Sequence, residues 1–114
     1  MNHYRTGRDF EHKVRAHLID NGYDVVRAAG SKTKADLIAI KPGQVLIIQC
    51  KATALPSPHE RAEILRIDAC IPGAGLAIIA RKGPRGTPVK LERLLTADRS
   101  PSARVPFSLD EVAS

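Results

Sequence analysis

The sequence is poor in aromatic residues and in long apolar runs, and each shortage argues against a class of protein. Among 114 residues there are two tyrosines, two phenylalanines and no tryptophan. A protein that binds single-stranded nucleic acid by stacking bases on aromatic side chains needs more of them. No long apolar run stands near the N-terminus, so we expect no signal peptide, no membrane span and a cytoplasmic protein.

Cysteine is also scarce. Cys50 and Cys70 both lie in apolar contexts, so we expect two small buried side chains in a reducing compartment and no disulfide. The sequence has no CxxC pair and no paired-histidine spacing, so no zinc site is predicted.

The charge is unbalanced toward the positive side. Eighteen Lys and Arg residues face twelve Asp and Glu residues, which gives a formal net charge of +6 at pH 7. This excess favours a polyanionic partner. Since stacking platforms are few, the charge indicates contacts to the backbone of a duplex-like nucleic acid.

The most informative stretch is ADLIAIKPGQVLIIQCK, residues 35–51. Its two apolar runs are too short for helices and flank a Pro-Gly turn, so they predict a β-hairpin. Three residues are unusual for a plain buried hairpin, namely Asp36, Gln49 and Lys51.

The turn length sets which of these residues meet. A two-residue Pro-Gly loop pairs Lys41 with Gln44 and, counting back, Asp36 with Gln49. Alternate strand residues share a face, so Lys51 lies on the side of Gln49 and the cysteine between them points away. The simplest interpretation of such a cluster is a salt bridge with a hydrogen bond at a strand end.

Helical spacing marks the segment before the hairpin. Phe10, Val14 and Leu18 recur at steps of four. Arg27, inside the next apolar run, indicates an edge strand or a functional role.

Ser57 and Glu60 form a capping box, with proline at the first helical position, which predicts the start of a second helix. Apolar residues of this second helix cover more than one narrow stripe, which suggests a partner subunit.

The predicted elements are a helix over 9–21, a strand over 23–29, a polar loop over 30–34, the hairpin, a helix over 59–71, a strand over 75–80 and a short strand over 89–91. The Ser-, Pro- and Arg-rich segment after residue 97 predicts an extended tail, with a short acidic turn over 108–113. This order predicts one domain with a mixed sheet flanked by helices.

Three motifs in this order carry a resemblance: YRTGRDFE, GYDVVRAAGSKTKAD and VLIIQCK. Over residues 4–81 the chain resembles the archaeal-type Holliday junction resolvases of the PD-(D/E)xK nuclease superfamily. The resemblance implies an α/β, restriction-endonuclease-like mixed β-sheet flanked by α-helices. It also implies a nuclease domain over 1–96 and a C-terminal extension over 97–114.

The activity implied by the resemblance is a Mg²⁺-dependent endonuclease that resolves four-way DNA junctions by paired phosphodiester hydrolysis. Mn²⁺ would be a plausible substitute for Mg²⁺. The resemblance further implies a homodimer with two active sites that acts on branched DNA at the nucleoid, without a small-molecule cofactor.

The resemblance also assigns residues. The implied catalytic residues are Glu11, Ser31, Asp36, Gln49 and Lys51. The implied metal ligands are Glu11, Asp36, Gln49 and the backbone carbonyl of Cys50, and Lys51 would position or activate the attacking water. The implied DNA-binding residues are Arg5, Arg8, His12, Arg27, Lys32 and Lys34.

Two positions depart from the family pattern. Gln49 stands where the family has an acid, and His12 where an arginine is common. Gln49 is compatible with a working natural variant, with an engineered Glu-to-Gln change, or with a non-catalytic protein that binds junctions. A nuclease of the same fold that cuts flaps or duplex is a further alternative.

Overall fold

The fold is built on one mixed sheet with a helix on each face. The computed structural model describes residues 3–28, 35–52, 55–83, 89–96 and 103–109. The elements of this part of the chain are α1 His3–Asp20, β1 Asp24–Arg27, β2 Leu37–Lys41, β3 Gln44–Lys51, α2 Pro58–Ala69, β4 Gly75–Arg81, β5 Lys90–Leu94 and β6 Arg104–Pro106. Strands β3 and β4 are parallel and the other neighbouring strands are antiparallel. The predicted mixed sheet flanked by helices is confirmed.

Helix α1 covers one face of the sheet. Its residues Phe10, Val14 and Leu18 are buried in one cluster with Leu46 and Ile48 of β3, which we call the α1-side cluster. The predicted stripe is therefore the face that α1 packs on the sheet. The helix begins at His3 and not near residue 9. The predicted start was too late because the apolar spacing that indicates the helix begins only at Phe10.

Helix α2 covers the other face and connects the two parallel strands. Its fully buried Ile64 packs with Ile47, Ala77 and Ile79, and we call this group the α2-side cluster. Strand β3 is thus buried on both sides, which explains its nearly continuous apolar sequence. Among the described residues, neither helix is both long enough and apolar enough to cross a membrane.

The hairpin between β2 and β3 has the predicted register. Lys41 pairs with Gln44, and the ladder continues to Leu37 opposite Ile48. Gly43 has a φ of 79°, the positive value that the third residue of a type II turn requires. This local turn therefore fixes which residues of the two strands meet at the far end.

The C-terminal part differs from the prediction. Residues 104–106 form β6, which pairs with β5, and Leu109 is buried against the α1-side cluster. A three-residue strand shows no periodicity in a sequence, so this pairing was missed. Residues 97–102 and 110–114 lie outside the described residues, and the division at residue 96 stays a prediction.

One further expectation, the burial of both cysteines, meets a different outcome. Both cysteines are free, but Cys70 is exposed at the C-cap of α2 and Cys50 is half-buried. The apolar residues Leu65 and Ile67 of α2 pack against the chain's own sheet. The partner subunit suggested for α2 stays a prediction.

Candidate functional site

The site lies where β2 begins and β3 ends. The backbone N–H of Asp36 donates to the carbonyl of Ile48 at 2.8 Å. The N–H of Cys50 donates to Asp36 Oδ2, also at 2.8 Å. The carboxylate of Asp36 is thus held against the backbone of β3.

Gln49 is a buried polar residue on the α2 side of β3. Its side chain is on the same face as Ile47 of the α2-side cluster, while Cys50 packs against the α1-side cluster. Gln49 is 4% exposed, and its Nε2 donates to Glu60 Oε2 at 3.4 Å. Its Oε1 is buried and has no hydrogen-bond partner among the described residues.

Glu60 connects this end of β3 to the start of α2. Lys51 Nζ lies 3.1 Å from Glu60 Oε2. The Ser57 N–H donates to Glu60 Oε1 at 3.0 Å, and the Glu60 N–H donates to Ser57 Oγ at 3.1 Å. The predicted capping box is confirmed. Burial raises the pKa of Glu60, but the contacts from Ser57 and Lys51 outweigh it and the pKa is lowered.

Several charges act on Asp36 at once. Burial raises its pKa above the usual range, and the hydrogen bond from the Cys50 N–H opposes that rise. The carboxylates of Glu11 and Glu60 raise the pKa further, and Lys51 lowers it. Three carboxylates and one ammonium group therefore interact electrostatically at this end of the sheet. Burial, with the charges of Asp36 and Glu11, also raises the pKa of the Cys50 thiol.

Glu11 is held on the α1 side of the sheet. Its Oε1 accepts a hydrogen bond from Arg27 Nε at 2.6 Å. Arg27 ends β1, which is the edge strand, so the predicted edge position is confirmed. With His12, Arg15 and Val25, this pair lines a shallow cleft of about 190 Å³. Glu11 acts electrostatically on Asp36, and its direct contact is with Arg27. The predicted convergence of Glu11 with Gln49 and Lys51 stays a prediction.

The predicted DNA-binding residues are only partly described. Arg8 and His12 are exposed on α1, and Arg15, which was not predicted, continues their line at the next helical turn. Arg5 lies in α1, but its side chain is outside what the structure describes. Ser31, Lys32 and Lys34 lie outside the described residues altogether.

A second missed basic residue stands beside Lys51. Arg81 of β4 pairs with Lys51 in the parallel ladder. Its Nη1 lies 3.5 Å from Oε1 of Glu92, a buried carboxylate that Arg104 also approaches at 3.8 Å. Nothing in the sequence places Arg81 beside Lys51, because this neighbourhood depends on how β3 and β4 pair.

The donor atoms suit a hard divalent cation in kind. The described residues contain no group of three His, Cys, Asp or Glu side chains placed to hold a metal ion. The cluster does contain the carboxylate of Asp36 and the buried, unpartnered amide oxygen of Gln49. Mg²⁺ prefers oxygen ligands and keeps several waters, so it needs few protein ligands. The site therefore fits such an ion by its chemistry.

Two sequence comparisons agree on the family. Residues 2–58 match the family described as archaeal Holliday junction resolvase (Hjc). The crossover junction endodeoxyribonuclease Hjc of Methanocaldococcus jannaschii is 46% identical over 51 residues, which cover 45% of this chain and 38% of that protein. The matched segment thus spans well under two thirds of that relative.

A solved structure shows the same fold. Hjc of Archaeoglobus fulgidus, a Holliday junction resolvase from an archaeal hyperthermophile, matches with a TM-score of 0.66 over 90% of each chain at 22% identity. Because the family match covers half of the sequence, from α1 through β3, this chain belongs to the archaeal Holliday junction resolvase (Hjc) family.

Proposed function

We propose that this chain is a divalent-metal-dependent endonuclease that resolves four-way DNA junctions by paired phosphodiester hydrolysis. The observation that carries the proposal is the hairpin end, where the β3 backbone holds Asp36 next to buried Gln49. Family membership and the match to Hjc support the substrate. The location would be the nucleoid, where such DNA is found.

The proposed ligands of the ion are Asp36, the amide oxygen of Gln49, the Cys50 carbonyl and Glu11. Mg²⁺ is the expected ion, with Mn²⁺ as a substitute. When bound, it would supply charge neutralisation at the phosphoryl oxygens and a more acidic water. For Glu11 to contribute, its ion pair with Arg27 would have to open or share the carboxylate.

The protein groups have separate tasks in the hydrolysis. Water supplies the attacking oxygen, one P–O ester bond breaks, and the leaving oxygen takes a proton. Lys51, held 3.1 Å from Glu60, is the ammonium group that would orient the attacking water or the phosphate. Asp36 is fixed by a backbone N–H, so its orientation needs little adjustment when DNA binds.

DNA would be held mainly through its phosphates. The net charge is +6, and Arg8, His12, Arg15 and Arg27 lie along α1 and the edge strand. Arg5, Ser31, Lys32 and Lys34 remain proposed contacts. Phosphate contacts position a protein without reading sequence, which suits an enzyme that recognises the geometry of a branch.

We propose a homodimer, because resolution needs two cuts on paired strands. Val26 of β1 is 54% exposed and Ile40 of β2 is 41% exposed. The register places both on the α2 side of the sheet, next to Ile38. This apolar patch lies at the sheet edge, and it is the surface that we propose for a second copy. A monomer mass by sedimentation at micromolar concentration would contradict this.

Cleavage of three substrates tests the function. A synthetic four-way junction, a matched duplex and a flap would be incubated with Mg²⁺. Paired symmetric nicks near the crossover are expected on the junction alone. Cuts on all three substrates would instead indicate a general nuclease of the same fold.

Gln49 favours one other candidate, a protein that binds junctions without cutting them. A neutral amide in place of an acid removes one negative charge from the ion site. Junction binding without nicks would support this candidate, provided that Gln49→Glu does not restore cleavage. Nicks by Gln49→Glu alone would show that the machinery is intact and lacks only the charge.

A further inference from the structure

We propose that Glu60 supplies the negative charge that Gln49 lacks, as a carboxylate ligand of the same divalent cation. The inference rests on the proposed function only for the identity of the reaction, because cation binding can be measured without DNA. Glu60 lies two residues beyond the segment that matches the family. Its role therefore does not come from that match.

The first observation is the state of Gln49. It is 4% exposed, and its amide nitrogen donates to Glu60 at 3.4 Å. Its amide oxygen is buried with no hydrogen-bond partner among the described residues. A buried polar atom without a partner is costly. A cation bound at the amide oxygen would satisfy it.

The second observation is how the two oxygens of Glu60 are used. Oε1 accepts the Ser57 N–H, as in an ordinary capping box. Oε2 instead faces β3, where Gln49 Nε2 and Lys51 Nζ both contact it. One carboxylate thus serves the helix cap and also reaches both strand residues of the predicted motif.

The third observation is electrostatic. The negative charges of Glu60 and Glu11 both act on Asp36. Lys51 offsets part of the combined repulsion from these two carboxylates. Carboxylates brought together in a half-buried site favour a bound cation, which replaces repulsion by attraction.

The competing explanation is that Glu60 only caps α2 and pairs with Lys51. Glu60→Gln separates the two, because glutamine also serves at this position of a capping box. The variant keeps the acceptor for the Ser57 N–H and loses the charge. Ser57→Ala does the reverse, since it removes the capping hydroxyl and keeps the carboxylate.

The experiment measures Mn²⁺ binding to the free, full-length protein by calorimetry, together with Tm. Glu60→Gln is expected to raise the Kd for Mn²⁺ at least about tenfold with little change in Tm. Ser57→Ala should lower Tm and leave the Kd within about twofold of wild type. Glu63→Gln, which removes a charge one turn further along α2, is the matched control and should leave the Kd unchanged.

The double variant Gln49→Glu with Glu60→Gln moves the charge to the strand. It is expected to recover most of the Mn²⁺ affinity, and junction cleavage with it. An unchanged Kd in Glu60→Gln, or equal losses in Glu60→Gln and Glu63→Gln, would overturn the proposal. So would wild-type protein that binds no Mn²⁺ at millimolar concentration.

The outcomes for the reaction are separate. If wild type binds Mn²⁺ through Glu60 but cuts no junction, the proposed function fails and this inference stands. If wild type cuts junctions and Glu60→Gln binds Mn²⁺ and cuts equally well, this inference fails and the proposed function stands.

Discussion

Two acid–base pairs stand on opposite faces of the sheet near the same end. On the α1 side, Glu11 pairs with Arg27 at 2.6 Å. On the α2 side, Glu60 pairs with Lys51 at 3.1 Å. Each acid comes from a helix and each base from a strand, so the two pairs are alike in chemistry and differ in their surroundings.

The surroundings separate their roles. Arg27 is on the edge strand, with 47% of its side chain exposed. Lys51 is on a central strand, and its partner Glu60 also contacts the buried amide of Gln49. Glu11, the acid implied by the family resemblance, therefore faces a half-exposed base. Glu60, which was not predicted as a site residue, lies against the buried strand. Its contact with Gln49 favours Glu60 over Glu11 as the acid that compensates for the missing charge of Gln49.

The largest expected effect belongs to the residue that both acids influence. Asp36→Asn keeps an acceptor for the Cys50 N–H, so we expect the fold and junction binding to persist. Cleavage should fall by more than the ~100-fold typical of residues that only support metal ligands. Single-turnover cleavage and a gel-shift assay would measure the two properties. Joint loss of folding and binding would make Asp36 a structural residue.

The next effect compares the two acids directly. Glu11→Gln removes a charge whose nearest partner is Arg27, and Glu60→Gln one whose partners are Lys51 and Gln49. We expect Glu11→Gln to raise the Kd for Mn²⁺ by less than Glu60→Gln does, roughly a few-fold against at least about tenfold. Titration of both variants in one buffer would measure this. The reverse order would place the ion on the α1 side.

A smaller effect concerns the base of the α1-side pair. Arg27→Ala should weaken junction binding and reduce the slope of log K against log salt by about one phosphate contact. Arg66→Ala, which removes an arginine paired with Glu63 on α2, is the matched control and should leave the slope unchanged. Binding isotherms at four salt concentrations would give both slopes. An unaltered slope in Arg27→Ala would exclude it from the DNA contact.

Local sequence signals predicted the backbone of the site better than the contacts between its side chains. The Pro-Gly turn fixed the register from Lys41 to Asp36, and the capping box fixed the start of α2. Both depend on residues a few positions apart. The contact between Glu60 and Gln49 depends on where α2 lies over β3, which no local pattern encodes. Glu60 was thus predicted as a cap, and its contacts with Gln49 and Lys51 were missed.

The same limit explains the other misses. Strand β6 exists only through its pairing with β5, and Arg81 is beside Lys51 only because β3 and β4 are parallel neighbours. Cys70 has an apolar sequence context, yet the end of α2 leaves it exposed. In each case the sequence around the residue is uninformative, because the contact is made with a distant segment.

The smallest effect isolates the cap from the charge. Ser57→Ala removes the hydroxyl that accepts the Glu60 N–H at 3.1 Å. N-cap losses of this kind cost about 1 kcal/mol, which should lower Tm by about 4 °C in a domain of this size. Ser57→Thr keeps the hydroxyl and should remain close to wild type in calorimetric Tm. If Ser57→Ala also lost cation affinity while folded, the cap would be orienting Glu60 toward β3, and the charge and the cap would have to be treated as one unit.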